Sequence, residues 1–243
     1  MLQPQALIFD VDGTLADTER DGHRVAFNRA FAEAGLNWNW TVEQYGDLLE
    51  VAGGKERTLH YINTCEPTFT VADVNSFVAQ LHAAKTQHYQ QLLQENIMPL
   101  RPGVKRLILS ARQRGLRLAI ATTSRLENVL TLLQKALDED SPSWFETIAA
   151  GDIVLHKKPA PDIYQYVLQT MQLQPEQCLV FEDSYQGLQA ALGAGLTTIV
   201  TCNAYTRSHD FTGASLVLTH LGEPDLPFEV LAGDAGHSTF FEL

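Results

Sequence analysis

Two aspartates one residue apart, Asp10 and Asp12, follow the apolar run "ALIF" in the stretch "ALIFDVDGTLADTE". Carboxylates this close repel each other, and burying them is costly without a compensating cation. Groups that could join them recur after other apolar runs. Thr122, Thr123 and Ser124 follow "LRLAIA", Lys157 and Lys158 come shortly after "FETIAAGD", and Glu182 and Asp183 follow "CLVF". Asp10, Asp12, Glu182 and Asp183 are hard oxygen donors of the kind that suit Mg2+. Thr122 and Lys158 can donate to phosphate oxygens. A hard metal, carboxylates, a hydroxyl and an ammonium together equip a site for phosphoryl transfer, where positioning and charge compensation do most of the work.

Such groups need a scaffold that delivers them to one place. The chain begins with a strand at 7–9 and then reads as helical from about 17 to 94, with Val25, Ala26, Ala30 and Phe31 at helical spacing. After Pro99 the rhythm alternates. "RPGVKRLILSARQRG" predicts a helix, "LRLAIATTS" a strand, and the next helix runs to Leu137. "FETIAAGD" predicts a strand, "APDIYQYVLQTMQ" a helix, "CLVFEDS" a strand, "YQGLQAALGAG" a helix, "LTTIVTC" a strand and "SLVLTHL" a short last strand. The tail from Gly222 has no assignment. Alternation of this kind implies an α/β fold, a doubly wound (Rossmann-like) parallel sheet that binds ligands at the carboxyl ends of its strands. The expected division is a core of residues 1–15 and 96–243 and an inserted, all-helical cap of 16–95.

Composition narrows the partners. The 243 residues carry 29 acids against 17 bases, a formal net charge of −12. That excess argues against nucleic-acid or anionic-membrane partners, and no apolar run is long enough to span a membrane. An anionic small molecule stays open if cations are concentrated locally. Cys65, Cys178 and Cys202 are widely spaced and odd in number, which suggests free thiols in a reducing cytoplasm. No coiled-coil seam or exposed apolar stripe is evident, so a monomer is expected. The "NWNW" stretch at 37–40 reads as packing rather than as a stacking platform for a ligand, because Trp38 and Trp40 alternate.

The stretch "DVDGTLADT" resembles the first motif of the haloacid dehalogenase-like phosphatases. Thr122 resembles their second motif, Lys158 the third and "EDS" at 182–184 the fourth. The cap position is similar to the helical type shared with β-phosphoglucomutase. "DGHRVAFNRAF", "GGKER", "AIATTS", "AAGD", "KKPAPDIY" and "YTR" resemble the CbbY-like sugar-bisphosphate phosphatases of carbon-fixing organisms. The resemblance implies a phosphoric monoester hydrolase in which Asp10 is the nucleophile and Asp12 the general acid and base. Thr122 and Lys158 would serve the transferring phosphate. Mg2+ would be held by Asp10, the Asp12 main-chain carbonyl and Asp183, with Glu182 reaching it through water.

The substrate that the resemblance implies is a phosphosugar, xylulose 1,5-bisphosphate, whose removal would protect the carbon-fixing carboxylase from an inhibitor. Substrate-contacting candidates are Glu19, His23, Gly53, Gly54, Lys55, Glu56, Arg57, Thr123, Ser124, Arg125, Lys157 and Arg207. The glycines of "GGKER" permit close backbone approach, and Lys55 and Arg57 can bind anions. Spare cations suit a second phosphate. His23 stands one residue further from Asp10 than the cap histidine of many relatives, with Gly22 as the extra residue, so a local bulge is expected. The rival chemistry is a phosphosugar mutase of the β-phosphoglucomutase kind, or a phosphatase of broad specificity.

Overall fold

The computed structural model describes residues 4–51, 53–95 and 98–243. The chain divides into two compact units, one of residues 1–17 and 99–243 and the other of 18–98. The expected cap boundary at 95/96 adjoins Asn96 and Ile97, which lie outside the described residues, as does Ala52 just before "GGKER".

The first unit is built on a seven-stranded sheet. Its strands are β1 (Ala6–Phe9), β2 (Arg117–Ala121), β3 (Thr147–Ala149), β4 (Cys178–Glu182), β5 (Thr197–Thr201), β6 (Leu216–Leu218) and β7 (Val230–Gly233), in the order β3-β2-β1-β4-β5-β6-β7. β1 to β6 pair in parallel, and only β7 is antiparallel to its neighbour β6. All four residues of β1 are fully buried, as expected of a central strand covered on both faces and therefore apolar throughout rather than alternating. Ala6, Ile8, Ala119, Val180 and other residues on one face pack against Ile163, Tyr164 and Val167 of the helix Asp162–Met171.

Strand order reverses at β1, with β2 on one side and β4 on the other, and such a reversal opens a crevice at the carboxyl edge. Register sets what arrives there. Phe9 is level with Ile120 of β2 and Phe181 of β4, and the rings of Phe9 and Phe181 stack at 4.9 Å. Asp10 and Glu182 follow those two rings directly.

β7 lies in the tail from Gly222, for which no element is expected. All four of its residues are exposed, and a short Gly-containing segment without alternation carries no strand signal. The tail is nonetheless tied down. Arg106 donates to the Phe241 carbonyl at 2.8 Å and sits 4.6 Å from the Phe240 ring centroid, and Phe241 meets Phe181 edge-on at 5.5 Å.

The second unit is helical, with α1 (Arg24–Glu33), α2 (Val42–Leu48), α3 (Gly54–Cys65) and α4 (Val74–Gln94). Asp73 caps α4 by accepting from Asn75 N and Ser76 N, and Thr41 caps α2 by accepting from Gln44 N, so both starts satisfy donors that a helix end leaves open. Trp38 and Trp40 are buried among Phe31, Tyr61 and Phe69, with ring centroids 4.9 to 5.5 Å apart. They form the unit's aromatic core. Before α1, residues Thr18–His23 make a single π-helical turn, the usual way for a helix to absorb one extra residue. Gly22 lies at its inner side, where an added Cβ would come within 2.4 Å of Met98 Sδ and 2.8 Å of the Tyr89 ring.

Among the described residues no helix is long and apolar enough to cross a membrane. Cys65, Cys178 and Cys202 are free.

Candidate active site

The carboxyl ends of β1 and β4 and the segment after β3 bring Asp10, Glu182 and Lys158 into contact. Lys158 Nζ donates to Asp10 Oδ1 at 2.7 Å, to Glu182 Oε1 at 2.6 Å and to the Ala121 carbonyl at 2.9 Å. These partners use the three donors an ammonium has. Tyr164 Oη also donates to Glu182 Oε1, and the Asp183 N–H donates to Oε2 at 3.3 Å. Glu182 is fully buried and so anchors the lysine. Asp183 accepts from Asn203 Nδ2 at 2.7 Å and from Thr14 Oγ1 at 3.4 Å.

Asp12 differs from this buried group in being partly exposed, and its carboxylate accepts from Ser124 Oγ. Thr122 is buried at the end of β2 and its Oγ1 accepts from Ser124 N at 3.1 Å. One aspartate is thus held in the interior against a lysine, while the other is held by a hydroxyl where solvent can reach it.

The electrostatics follow from burial. Asp10 has its carboxyl pushed up from 3.8 to about 8, chiefly because burial disfavours its charge; Lys158 pulls against this while Glu182 and Asp12 add to it. Burial, with Asp10 and Glu182 nearby, also raises Asp183 well above its ordinary value. Burial works against the Lys158 charge, yet Asp10 and Glu182 hold its pKa above the ordinary lysine value.

The donor set fits a hard divalent cation. Oxygens of Asp10, Glu182 and Asp183 lie within 4.8 Å of one another, and all three residues are buried. Burial that disfavours the charges of Asp10 and Asp183 is relieved by a bound cation, and an all-oxygen set matches the preference of an ion such as Mg2+.

In the helical unit a cavity of about 210 Å3 is bordered by Glu19, His23, Gly53, Gly54, Arg57 and Lys85, with aromatic and histidine neighbours. Tyr45 Oη donates to Glu19 Oε2 at 2.7 Å and accepts from Arg57 Nη1 at 3.0 Å, while Arg57 Nε donates to the Leu48 carbonyl at 3.0 Å. Arg57 is buried, so its guanidinium is fixed in the wall rather than spent on a surface ion pair. Lys85 Nζ donates to His23 Nδ1 at 2.8 Å, and the His23 ring stacks on Tyr89 at 3.9 Å.

Other sequence candidates lie elsewhere. Lys55 and Glu56 are exposed and do not border this cavity. Thr123 and Arg125 are exposed in the turn after β2. Lys157 pairs with Asp152 at 2.9 Å, closing its own loop. Arg207 forms an exposed pair with Glu229 at 3.3 Å. Ser184 caps the helix Tyr185–Gly193 by accepting from Gly187 N at 3.1 Å. Tyr164, Asn203, Tyr45 and Lys85 are contributors that sequence reasoning missed. Tyr164 sits within the quoted "KKPAPDIY" stretch, but its helical position reads as core. Asn203 follows a strand, as Asp10 does, and that position was its available signal.

Comparison with known proteins adds to this geometry. The family model for haloacid dehalogenase-like hydrolases matches residues 4–195. Protein CbbY (plasmid) of Cupriavidus necator is 47% identical over 234 residues, covering 96% of this chain and 92% of that protein. The crystal structure of CbbY from Rhodobacter sphaeroides in complex with phosphate matches with a TM-score of 0.75 and 42% identity, covering 90% of this chain and 95% of that one. CbbY (mutant D10N) from the same organism, in complex with xylulose-(1,5)bisphosphate, matches with a TM-score of 0.74 and 41% identity at the same coverage.

Proposed function

This chain belongs to the haloacid dehalogenase-like hydrolases and, within them, to the CbbY proteins, and from that premise we propose a Mg2+-dependent sugar-bisphosphate phosphatase acting on xylulose 1,5-bisphosphate through an aspartyl phosphate. The observation that carries the reading is the division of labour between the two aspartates: Asp10 buried 2.7 Å from Lys158 Nζ, Asp12 partly exposed and held by Ser124. Support for the substrate comes from the relative that binds xylulose-(1,5)bisphosphate.

Asp10 attacks the phosphorus, and the bond from phosphorus to the sugar oxygen breaks. Asp12 gives its proton to the departing sugar oxygen. It then takes a proton from the water that attacks the aspartyl phosphate, and the bond to Asp10 breaks to release inorganic phosphate. Lys158 neutralises charge on Asp10 and on the transferring group, and Thr122 donates to one of that group's oxygens. Asp10, the Asp12 carbonyl and Asp183 would hold Mg2+, with Glu182 acting through water, and the ion supplies charge neutralisation when bound. Ser124 keeps Asp12 turned to its task.

Recognition of the sugar and its second phosphate falls to Glu19, His23, Gly53, Gly54 and Arg57 of the helical unit. Arg57 supplies a pre-fixed cation, and fixing it beforehand lowers the entropic cost of binding. The exposed pairs of Lys157 and Arg207 leave both outside the proposal. The free thiols suit the cytoplasm as its place of action.

The test is phosphate release across sugar mono- and bisphosphates with Mg2+, with Asp10→Asn as blank. A marked preference for xylulose 1,5-bisphosphate is expected. Broad, weak hydrolysis of monophosphates would remove the substrate assignment and keep the chemistry. Isomerised product without phosphate release would make the enzyme a mutase.

A further inference from the structure

Arg101 is a buried cation whose donors go almost entirely to main-chain carbonyls. Its Nη2 donates to the carbonyls of Cys202 at 2.7 Å and Thr219 at 2.8 Å. Nη1 donates to the Thr201 carbonyl at 2.7 Å, to Thr201 Oγ1 at 3.2 Å and to the Gly13 carbonyl. Its ion-pair partner is Asp17, with Nε 3.4 Å from Oδ1. Three segments that leave the carboxyl ends of β1, β5 and β6 are thus gathered on one guanidinium. Burying a cation on partners that are neutral apart from one acid at 3.4 Å is unfavourable for stability by itself.

Two of these segments lead to the same side chain. Gly13, at φ +90°, lies so close to Asp183 that an added Cβ would fall 2.2 Å from Oδ2. Cys202 directly precedes Asn203, whose amide donates to that same Oδ2 at 2.7 Å. The wall against Asp183 Oδ2 and the donor to that same oxygen lie side by side, a Cβ at Gly13 falling 2.6 Å from Asn203 Nδ2, and both are held from Arg101. We propose that Arg101 is a positioning residue for Asp183, fixing it for metal binding through Gly13 and Asn203. The proposal rests on the reading of Asp183 as a metal ligand.

The planar fork of arginine is what reaches carbonyls in several directions, and a lysine keeps the charge without the fork. The experiment is calorimetric Mn2+ binding to the full chain without substrate, for the unaltered protein, Arg101→Lys, Asn203→Ala and Asp183→Asn, with circular dichroism to follow the fold. Arg101→Lys is expected to stay folded and to bind Mn2+ about 10-fold more weakly or worse, the usual range for residues that orient a ligand. Its phosphate release should recover as Mn2+ is raised. A lower melting temperature with unchanged Mn2+ affinity overturns the proposal and makes Arg101 a stability residue only. If Arg101→Lys does not fold, Asn203→Ala decides, because it removes the last link of one arm and leaves the guanidinium in place: unaltered Mn2+ affinity overturns the proposal, weakened affinity supports it. Undiminished Mn2+ binding by Asp183→Asn shows instead that the reading of Asp183 has failed, and the proposal with it.

Discussion

The Asp10 carboxyl, at about 8 in the fold against an ordinary 3.8, holds a proton that the unfolded chain would have lost. Between those values the native state binds more protons than the unfolded one, so stability of the metal-free protein falls as pH rises through the window. Asp183 shifts in the same direction. A divalent cation that replaces those protons should therefore raise the melting temperature more at pH 8 than at pH 6. Thermal denaturation with EDTA and with Mg2+ at both pH values checks this, and an equal or larger gain at pH 6 contradicts it. Asp10→Asn should abolish phosphate release while the protein still folds. Tyr164→Phe removes a donor to a buried charged acceptor and should lower stability by about 1–3 kcal/mol, read by urea unfolding. The carboxylates and Lys158 were legible in the sequence because their types, falling after apolar runs, suit only a few chemistries. Tyr164 and Asn203 were not, since an aromatic on a helix and an amide in a loop have many ordinary uses. Lys157 and Arg207 show the converse: a cation close in sequence to the site can be claimed by a neighbouring acid.

At the scale of elements, unbroken apolar runs announced the central strands, and Phe9, Ile120 and Phe181 fall level as parallel pairing requires. β7 was hidden because its four residues are exposed and its pairing to β6 contains an irregularity between Val217 and Leu218. The π-helical turn Thr18–His23 could be anticipated as a bulge, though its shape depends on Gly22 lying against Met98 and Tyr89, a contact remote in sequence. Gly22→Ala should overpack this spot and cost about 1–3 kcal/mol. Its melting temperature should drop, and the CD signal should remain helical. A variant as stable as the unaltered protein would mean that the turn tolerates a side chain. The two tryptophans illustrate a pattern read correctly from alternation alone: Trp40 has no exposed surface and Trp38 little.

At the scale of the molecule, the acidic cluster with Lys158 and the buried cation Arg57 sit in different compact units, and for a chain of net charge −12 the proposed anionic substrate is met by such local cations. The tail belongs to the sheet's stability. Removing residues 238–243 frees Phe181 of its edge-on neighbour Phe241 and should cost about 2 kcal/mol, visible as a lower midpoint in denaturant. Within the sheet unit the two ends of the chain that lead to the helical insert lie side by side. The chain leaves the sheet unit next to where it returns: Ala16 bridges Leu100 in antiparallel fashion and Arg101 N donates to the Leu15 carbonyl at 2.8 Å. Two neighbouring stubs can be joined by almost any excursion, because closure entropy grows only slowly with length. The sheet unit is in effect a socket. On the proposed division of roles, exchange of the helical insert for another at Asp17 and Pro99 would change what is recognised and leave the phosphoryl chemistry where it stands.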